Sequence, residues 1–212
     1  GNCNNLALRF TLSRTSTDNP IYPRSGSEIQ LSVALTPPFS LWDGKDYANL
    51  ANNPSSATYM KELQDKYSWI EYHKWKFKAR NFTPLSRHNK CFVLMTRAEI
   101  GLLGSYNKHK PSPFENYYMG GDGTSGYSSI YSTETIGLRG YEDGALDPAN
   151  GNYSVAYNKY TMELRYPIIL KPSSQVFALA FLEGGSGFNS WKEFSPFKIK
   201  RSAGVGVRLY LP

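Results

Sequence analysis

Apolar and polar residues alternate with a period of two along most of this 212-residue chain. That is the spacing of half-buried strands, because successive side chains of an extended backbone point to opposite faces. Leu6, Leu8, Phe10 and Leu12 share one face and Ala7, Arg9, Thr11 and Ser13 the other, which predicts a first strand near 5–14. The segment from Asp18 to Gly26 holds Pro20 and Pro23, which neither continue a ladder nor sit in a helix, so it reads as a tight connection. Ile29, Leu31, Val33 and Leu35 then oppose Glu28, Gln30, Ser32 and Ala34 in a second strand near 27–36. Pro37-Pro38 ends it, and alternation is lost as far as Ser68. This reads as a long loop in which Met60-Lys61-Glu62-Leu63 has room for one or two helical turns.

Alternation returns in a third strand near 69–80 and, after Pro84-Leu85-Ser86-Arg87, in a fourth near 91–103 with Arg97 and Glu99 on one face. A segment rich in Gly, Ser, Tyr and Asn occupies 104–152. So long a stretch without regular structure inside a domain is normally functional or disordered. Within it lies Leu138-Arg139-Gly140-Tyr141, an arginine beside a glycine, which suggests a loop that folds back against something acidic. A fifth strand near 155–168 sets Met162, Leu164 and Tyr166 against Thr161, Glu163 and Arg165, and Pro167 and Pro172 bracket a short turn. A sixth near 175–183 puts Glu183 on the face of Phe177, Leu179 and Phe181. A seventh near 202–211 sets Ala203, Val205, Val207 and Leu209 against Ser202, Gly204, Gly206, Arg208 and Tyr210.

The fold class is therefore all-β, an antiparallel meander of about seven strands. Its connections alternate between short and long, as in an outer-membrane barrel with short periplasmic turns and extended outer loops. A soluble sandwich has no reason for that rhythm. No apolar run approaches the ~20 residues of a membrane-spanning helix, and the mean hydropathy is −0.48, which alternating barrel strands permit. Tyr22, Trp69, Tyr153, Tyr157, Tyr160 and Tyr166 suit interfacial aromatic girdles. Barrels of one chain usually close with an even number of strands, at least 8. The expectation is thus a 1–212 segment of a larger barrel, with strands missing at both ends.

The net charge of +7 does not point to nucleic acid. Lys74, Lys76, Lys78 and Arg80 fall on alternate residues with Trp75 and Phe77 between them, so cations and aromatics lie on opposite faces rather than together in a groove. Cys3 and Cys91 match no disulfide framework or metal motif, and His73, His88 and His109 are scattered. His73 shares its face with Trp69, Trp75 and Phe77, and the other two lie in connections, so no serine–histidine pair stands out. No metal, no cofactor and no enzymatic activity are expected.

These patterns resemble the BamA-like outer-membrane assembly factors and their superfamily of insertases and two-partner secretion transporters. Pro113-Phe114-Glu115-Asn116-Tyr117-Tyr118-Met119-Gly120-Gly121, followed by Leu138-Arg139-Gly140-Tyr141, is similar to that family's sixth loop and its Arg-Gly-Phe/Tyr signature. The turn with Asp18, Pro23 and Gly26 resembles its periplasmic turn, and Glu163 to Pro167 and Ser202 to Arg208 its later strands. The chain departs from the usual pattern in extra residues between Gly121 and Leu138, including Thr124-Ser125-Gly126-Tyr127.

The resemblance implies a sixteen-stranded barrel in the Gram-negative outer membrane whose sixth-loop arginine, here Arg139, enters the lumen and is held by wall carboxylates, here Glu163 and Glu183. It further implies that the parent folds and inserts other β-barrel proteins. Its partners would be outer-membrane lipids, nascent outer-membrane proteins, accessory lipoproteins, and the parent's remaining strands and POTRA domains. The loop lengths fit an origin in the Bacteroidota. A two-partner secretion pore, a lipase-attached barrel and a soluble β-sandwich binding module are the alternatives.

Overall fold

The computed structural model describes residues 2–88, 91–122, 133–148, 153–171 and 174–210. In chain order its strands are β1 (Leu8–Thr15), β2 (Gly26–Leu35), β3 (His73–Pro84), β4 (Val93–Gly104), β5 (Tyr117–Met119), β6 (Glu134–Ile136), β7 (Ala156–Lys171), β8 (Ser174–Phe188) and β9 (Lys200–Tyr210). Seven of them form one sheet, β1-β2-β3-β4-β7-β8-β9, in which every neighbour pair is antiparallel. The sheet is open, with β1 and β9 as its edges.

Faces follow parity. On one side stand Leu8, Phe10, Leu12, Trp75, Phe77, Met162, Val205 and Val207, all exposed large apolar residues. On the other, the inner face, the long connection between β4 and β7 packs against the wall. Its buried core joins Tyr117, Met119, Ile136, Leu138 and Leu146 of that loop to Ala34, Leu103 and Tyr157 of the wall. A second inner cluster, Tyr22, Phe82, Val93, Met95, Phe177 and Leu179, lies toward the short-turn end. Apolar burial on the concave side thus comes from inserted loops rather than from a second sheet, which argues against the sandwich.

Several elements differ from the sequence reading. Residues 69–72 precede β3 rather than belonging to it. Thr36 N–H still donates to Tyr72 O at 3.0 Å, but Trp69 bridges Asn4 beyond the end of β2. The long loop after β2 holds α1 (Phe39–Trp42) and α2 (Tyr59–Lys66), the latter at the one or two helical turns expected around Met60. β7 runs through Pro167 with a register irregularity between Pro167 and Ile169, so this proline marks a bulge rather than a turn. Pro172 lies outside the described residues, as does the Thr124 to Tyr127 insertion.

β8 continues past Glu183 through Gly184-Gly185-Ser186-Gly187 to Phe188. These glycines, beyond the expected end of the sixth strand at 183, are strand positions of close approach: a Cβ on Gly187 would lie 1.9 Å from Ser154 Oγ. Tyr22 and Tyr157, read as girdle residues, are buried on the inner side, while Trp69, Tyr160 and Tyr166 stay at least partly exposed. Tyr22 is drawn inward because its turn folds beneath the sheet and its ring meets Phe177 at 4.9 Å.

Candidate functional site: a loop locked against the inner wall

The inner face carries a polar band set by strand register. Arg97 of β4 stands opposite Thr161 of β7, and Thr161 opposite Glu183 of β8; one step along, Met95, Glu163, Phe181 and Gly204 form the next row. Glu163 and Glu183 are 1% and 6% exposed, so both carboxylates sit in a poorly hydrated site and need compensation. Arg139 supplies it. Its Nη2 donates to Glu163 Oε1 at 2.8 Å and Glu183 Oε1 at 2.7 Å, and its backbone N–H donates to Glu183 Oε2 at 3.0 Å. The guanidinium carbon lies over the Phe181 ring, 3.6 Å from its centroid. This explains the inward phenylalanine: the ring face attracts the cation where water is scarce.

The carboxylates are themselves positioned. Thr161 Oγ1 donates to Glu183 Oε1 at 3.1 Å, Arg165 Nε to Glu163 Oε2 at 2.8 Å, and Arg208 Nη2 to Glu163 Oε1 at 3.1 Å. Arg165 in turn lies between the rings of Phe82 and Phe177, 5.5 and 5.7 Å from their centroids. Lys159 reaches the loop carbonyl of Gly137 and lies 4.0 Å from Glu183. A cavity of about 360 Å³ bordered by Arg97, Arg139, Glu163, Glu183 and Arg208 remains beside the lock.

Backbone bonds hold the arginine's segment. Leu138 N–H donates to Gly121 O, Gly121 N–H to Tyr141 O and Gly120 N–H to Ile136 O, each at 3.0 Å. The segment Pro113 to Gly121 and the motif 138–141 are therefore two sides of one folded unit. Gly120 has φ +125°, and a Cβ there would come 2.2 Å from Glu142 O, so only glycine fits. Leu138 is fully buried, Phe114 packs on the same cluster, and Tyr141 donates its hydroxyl to Arg201 O of β9 at 2.7 Å. Pro113 is exposed at the loop's outer side and Gly140 sits in the turn with φ +85°.

The turn between β1 and β2 meets the lock only indirectly, through Tyr22, whose ring packs on Phe177 beneath Arg165. Asp18 Oδ1 accepts from the backbone N–H of Arg24 at 2.8 Å and Ser25 at 3.2 Å. Gly26, at φ +104°, lies where a Cβ would strike Ser16 O at 2.1 Å. Pro23 is buried beside Tyr22. Asp18, Pro23 and Gly26 thus shape a turn that seats Tyr22 under the sheet.

Two loop carboxylates have no counterpart in the sequence reading. Glu115, at the strained φ of +68°, reaches Lys74 Nζ at 3.2 Å, and Glu134 contacts Lys74 at 3.5 Å and Lys76 more closely. The alternating lysines gave a signal for the inner cations, but nothing local linked them to acids far along the chain. No group of three or more His, Cys, Asp or Glu that could hold a metal occurs among the described residues.

A family model for the Omp85 superfamily domain matches residues 1–212. Over 100 residues, 47% of this chain and 10% of the relative, the sequence is 33% identical to the outer membrane protein assembly factor BamA of Neisseria meningitidis serogroup B. The fold is similar to the crystal structure of BamA from Haemophilus ducreyi lacking POTRA domains 1–3, with a TM-score of 0.61 and 18% identity over 95% of this chain and 35% of that one. The chain therefore spans about a third of that structure and a tenth of the curated relative. An origin in the Bacteroidota gains no support from these relatives. With the open antiparallel wall, its apolar outward band and a loop fastened inside, this outer-membrane β-barrel segment belongs to the Omp85 superfamily.

Proposed function

We propose that this chain is part of the barrel of an outer-membrane protein assembly factor that folds and inserts other β-barrel proteins, and that Arg139 locks its lumen loop. The observation that supports this reading is the convergence of Arg139 on Glu163 and Glu183, each carboxylate fixed by further donors on the wall. A guanidinium offers a rigid fork and keeps its charge at any ordinary pH, which suits a permanent latch. The outward apolar band would face outer-membrane lipid. The concave side would meet nascent barrel proteins together with the parent's remaining strands, and POTRA domains and accessory lipoproteins would act from the periplasmic, short-turn end. The role is assembly rather than catalysis.

Depletion of the full-length parent tests the reading. General loss of heat-modifiable outer-membrane proteins is expected, and Arg139→Ala on a complementing copy should restore them only in part. Loss of a single secreted partner with the outer-membrane profile intact would favour a two-partner secretion pore and sink the assembly role.

A further inference from the structure

At the long-loop end a charged residue is buried on the wrong side of the wall. In β3 the outward residues are His73, Trp75 and Phe77. The pairing of Thr36 with Tyr72 keeps the backbone extended before it, so Glu71 has outward parity, yet it is 1% exposed. What covers it is α1. Ser40 donates to the Glu71 carboxylate from both its backbone N–H, at 2.8 Å, and its hydroxyl. Lys110, 2% exposed, approaches Glu71 at 3.6 Å and lies 4.7 Å over the Tyr47 ring, and Tyr47 donates to Asp43, the residue after α1. A four-residue helix is thus fixed over Glu71 by a buried charge network that also takes in Lys110 of the β4–β7 connection.

The clamp presents Leu41 and Trp42, 63% and 69% exposed, beside Trp69, whose ring stacks with Phe39 at 4.8 Å. This patch continues the outward apolar band: Leu35, paired with the exposed Leu8, leads into Pro37-Pro38 and α1, and Trp69 bridges Asn4 just before Leu6. A solvated loop has no use for a rigidly held Leu-Trp pair, whereas tryptophan is favoured at the headgroup level of a bilayer, with its ring apolar and its N–H in reach of polar groups. We propose that α1 is an interfacial anchor, seating Leu41 and Trp42 in the headgroup–acyl boundary of the outer leaflet where the Glu71 clamp directs them. The proposal rests on the outward face meeting lipid and not on the assembly role.

The test uses the full-length protein in a cysteine-free background, reconstituted in phosphatidylethanolamine–phosphatidylglycerol vesicles, with single nitroxide labels at Trp42→Cys, Phe77→Cys and Asn53→Cys. Heat-modifiable migration checks that each barrel is folded. Collision with oxygen relative to a water-soluble nickel chelate should be several-fold higher at 42 than at the exposed loop residue 53 and approach the value at 77, placing the label roughly 5–10 Å into the boundary region. Glu71→Ala should return position 42 toward the value at 53. Chelate access at 42 equal to that at 53, with 77 still oxygen-rich, overturns the anchor while leaving the barrel reading intact. Protection of 42 from both quenchers would indicate a protein contact instead and overturn it as well. Chelate access at 77 would remove the lipid-facing wall and the anchor together.

Discussion

The lumen loop is fastened to two parts of one wall with opposite polarity. On β7 and β8 the loop brings a cation to wall anions, Arg139 to Glu163 and Glu183; on β3 it brings anions to wall cations, Glu115 and Glu134 to Lys74 and Lys76. The two clamps differ in support. Glu163 and Glu183 are held by Thr161, Arg165 and Arg208 before the loop contributes anything. On β3 the wall lysines, with side chains 9% and 16% exposed, keep more water than Glu163 and Glu183 at 2% and 4%, and Glu134 is shared between the two, so water and salt compete more with this clamp. Similar numbers of charges therefore make unequal latches: a preorganised, desolvated pair of carboxylates sets the position of the loop, and the lysine side tunes it.

The sharpest way to break this asymmetry is to change the arginine. Arg139→Ala leaves two buried carboxylates short of a donor and should weaken loop docking by roughly 3 kcal/mol, on the order of a hundredfold in the docked-to-free ratio. Limited proteolysis of the folded full-length barrel between residues 113 and 148 reads this as faster cleavage. Arg139→Lys should recover only part of it, because an ammonium could take the place of Nη2 between the carboxylates but loses the guanidinium's contact with the Phe181 ring. Recovery by lysine to the parental rate would mean that charge alone holds the loop.

Next in size is Glu134→Lys, which sets like charges beside Lys74 and Lys76 and should cost about 1–2 kcal/mol of docking. Adding Lys76→Glu should restore part of it. A double-mutant cycle with no coupling would show that the β3 contact contributes nothing, and equality with Arg139→Ala would erase the difference between the clamps. Tyr141→Phe, which removes only the bond to Arg201 O, should cost about 1 kcal/mol, detected as a small rise in the same cleavage rate.

The legible and illegible parts of this chain separate along physical lines. Alternation marks the sheet because one face meets an apolar medium and the other a polar interior, and it places Lys74, Arg97, Glu163 and Arg208 on the inner face through parity alone. It misleads in β8, where Phe177, Leu179 and Phe181 face inward. Arginines from other elements stack on the two phenylalanines there, and a turn residue, Tyr22, packs beside them. The Arg139 partners could be anticipated through family resemblance, whereas Glu115 and Glu134 could not, since their partner Lys74 lies 41 and 60 residues away with no local spacing to join them. The parallel pair of β5 and β6, three residues each, is too short for any periodicity to show.

The smallest expected effect concerns how the loop's own core responds to pH. Asp147 lies in the loop outside the spanning strands. Burial raises its carboxyl from the ordinary value to about 6, although Ser154 and the Met119 N–H donate to it. The folded loop thus binds the proton more tightly than the unfolded chain does. Its docking should be most favourable below about 4, weaken as pH rises between the ordinary carboxylate range and about 6, and stay level above that. Neither Glu134 nor Arg139 touches Asp147, so this trend should appear on both clamps equally. Cleavage at pH 5 should be slower than at pH 7.5 by a modest factor, after correction for protease activity with an unfolded substrate. Asp147→Asn, which keeps an acceptor for Met119 but cannot ionise, should flatten the profile. A profile unchanged by that substitution would assign the pH response elsewhere, and a slope of opposite sign would mean that the Ser154 and Met119 bonds outweigh the burial of the charge.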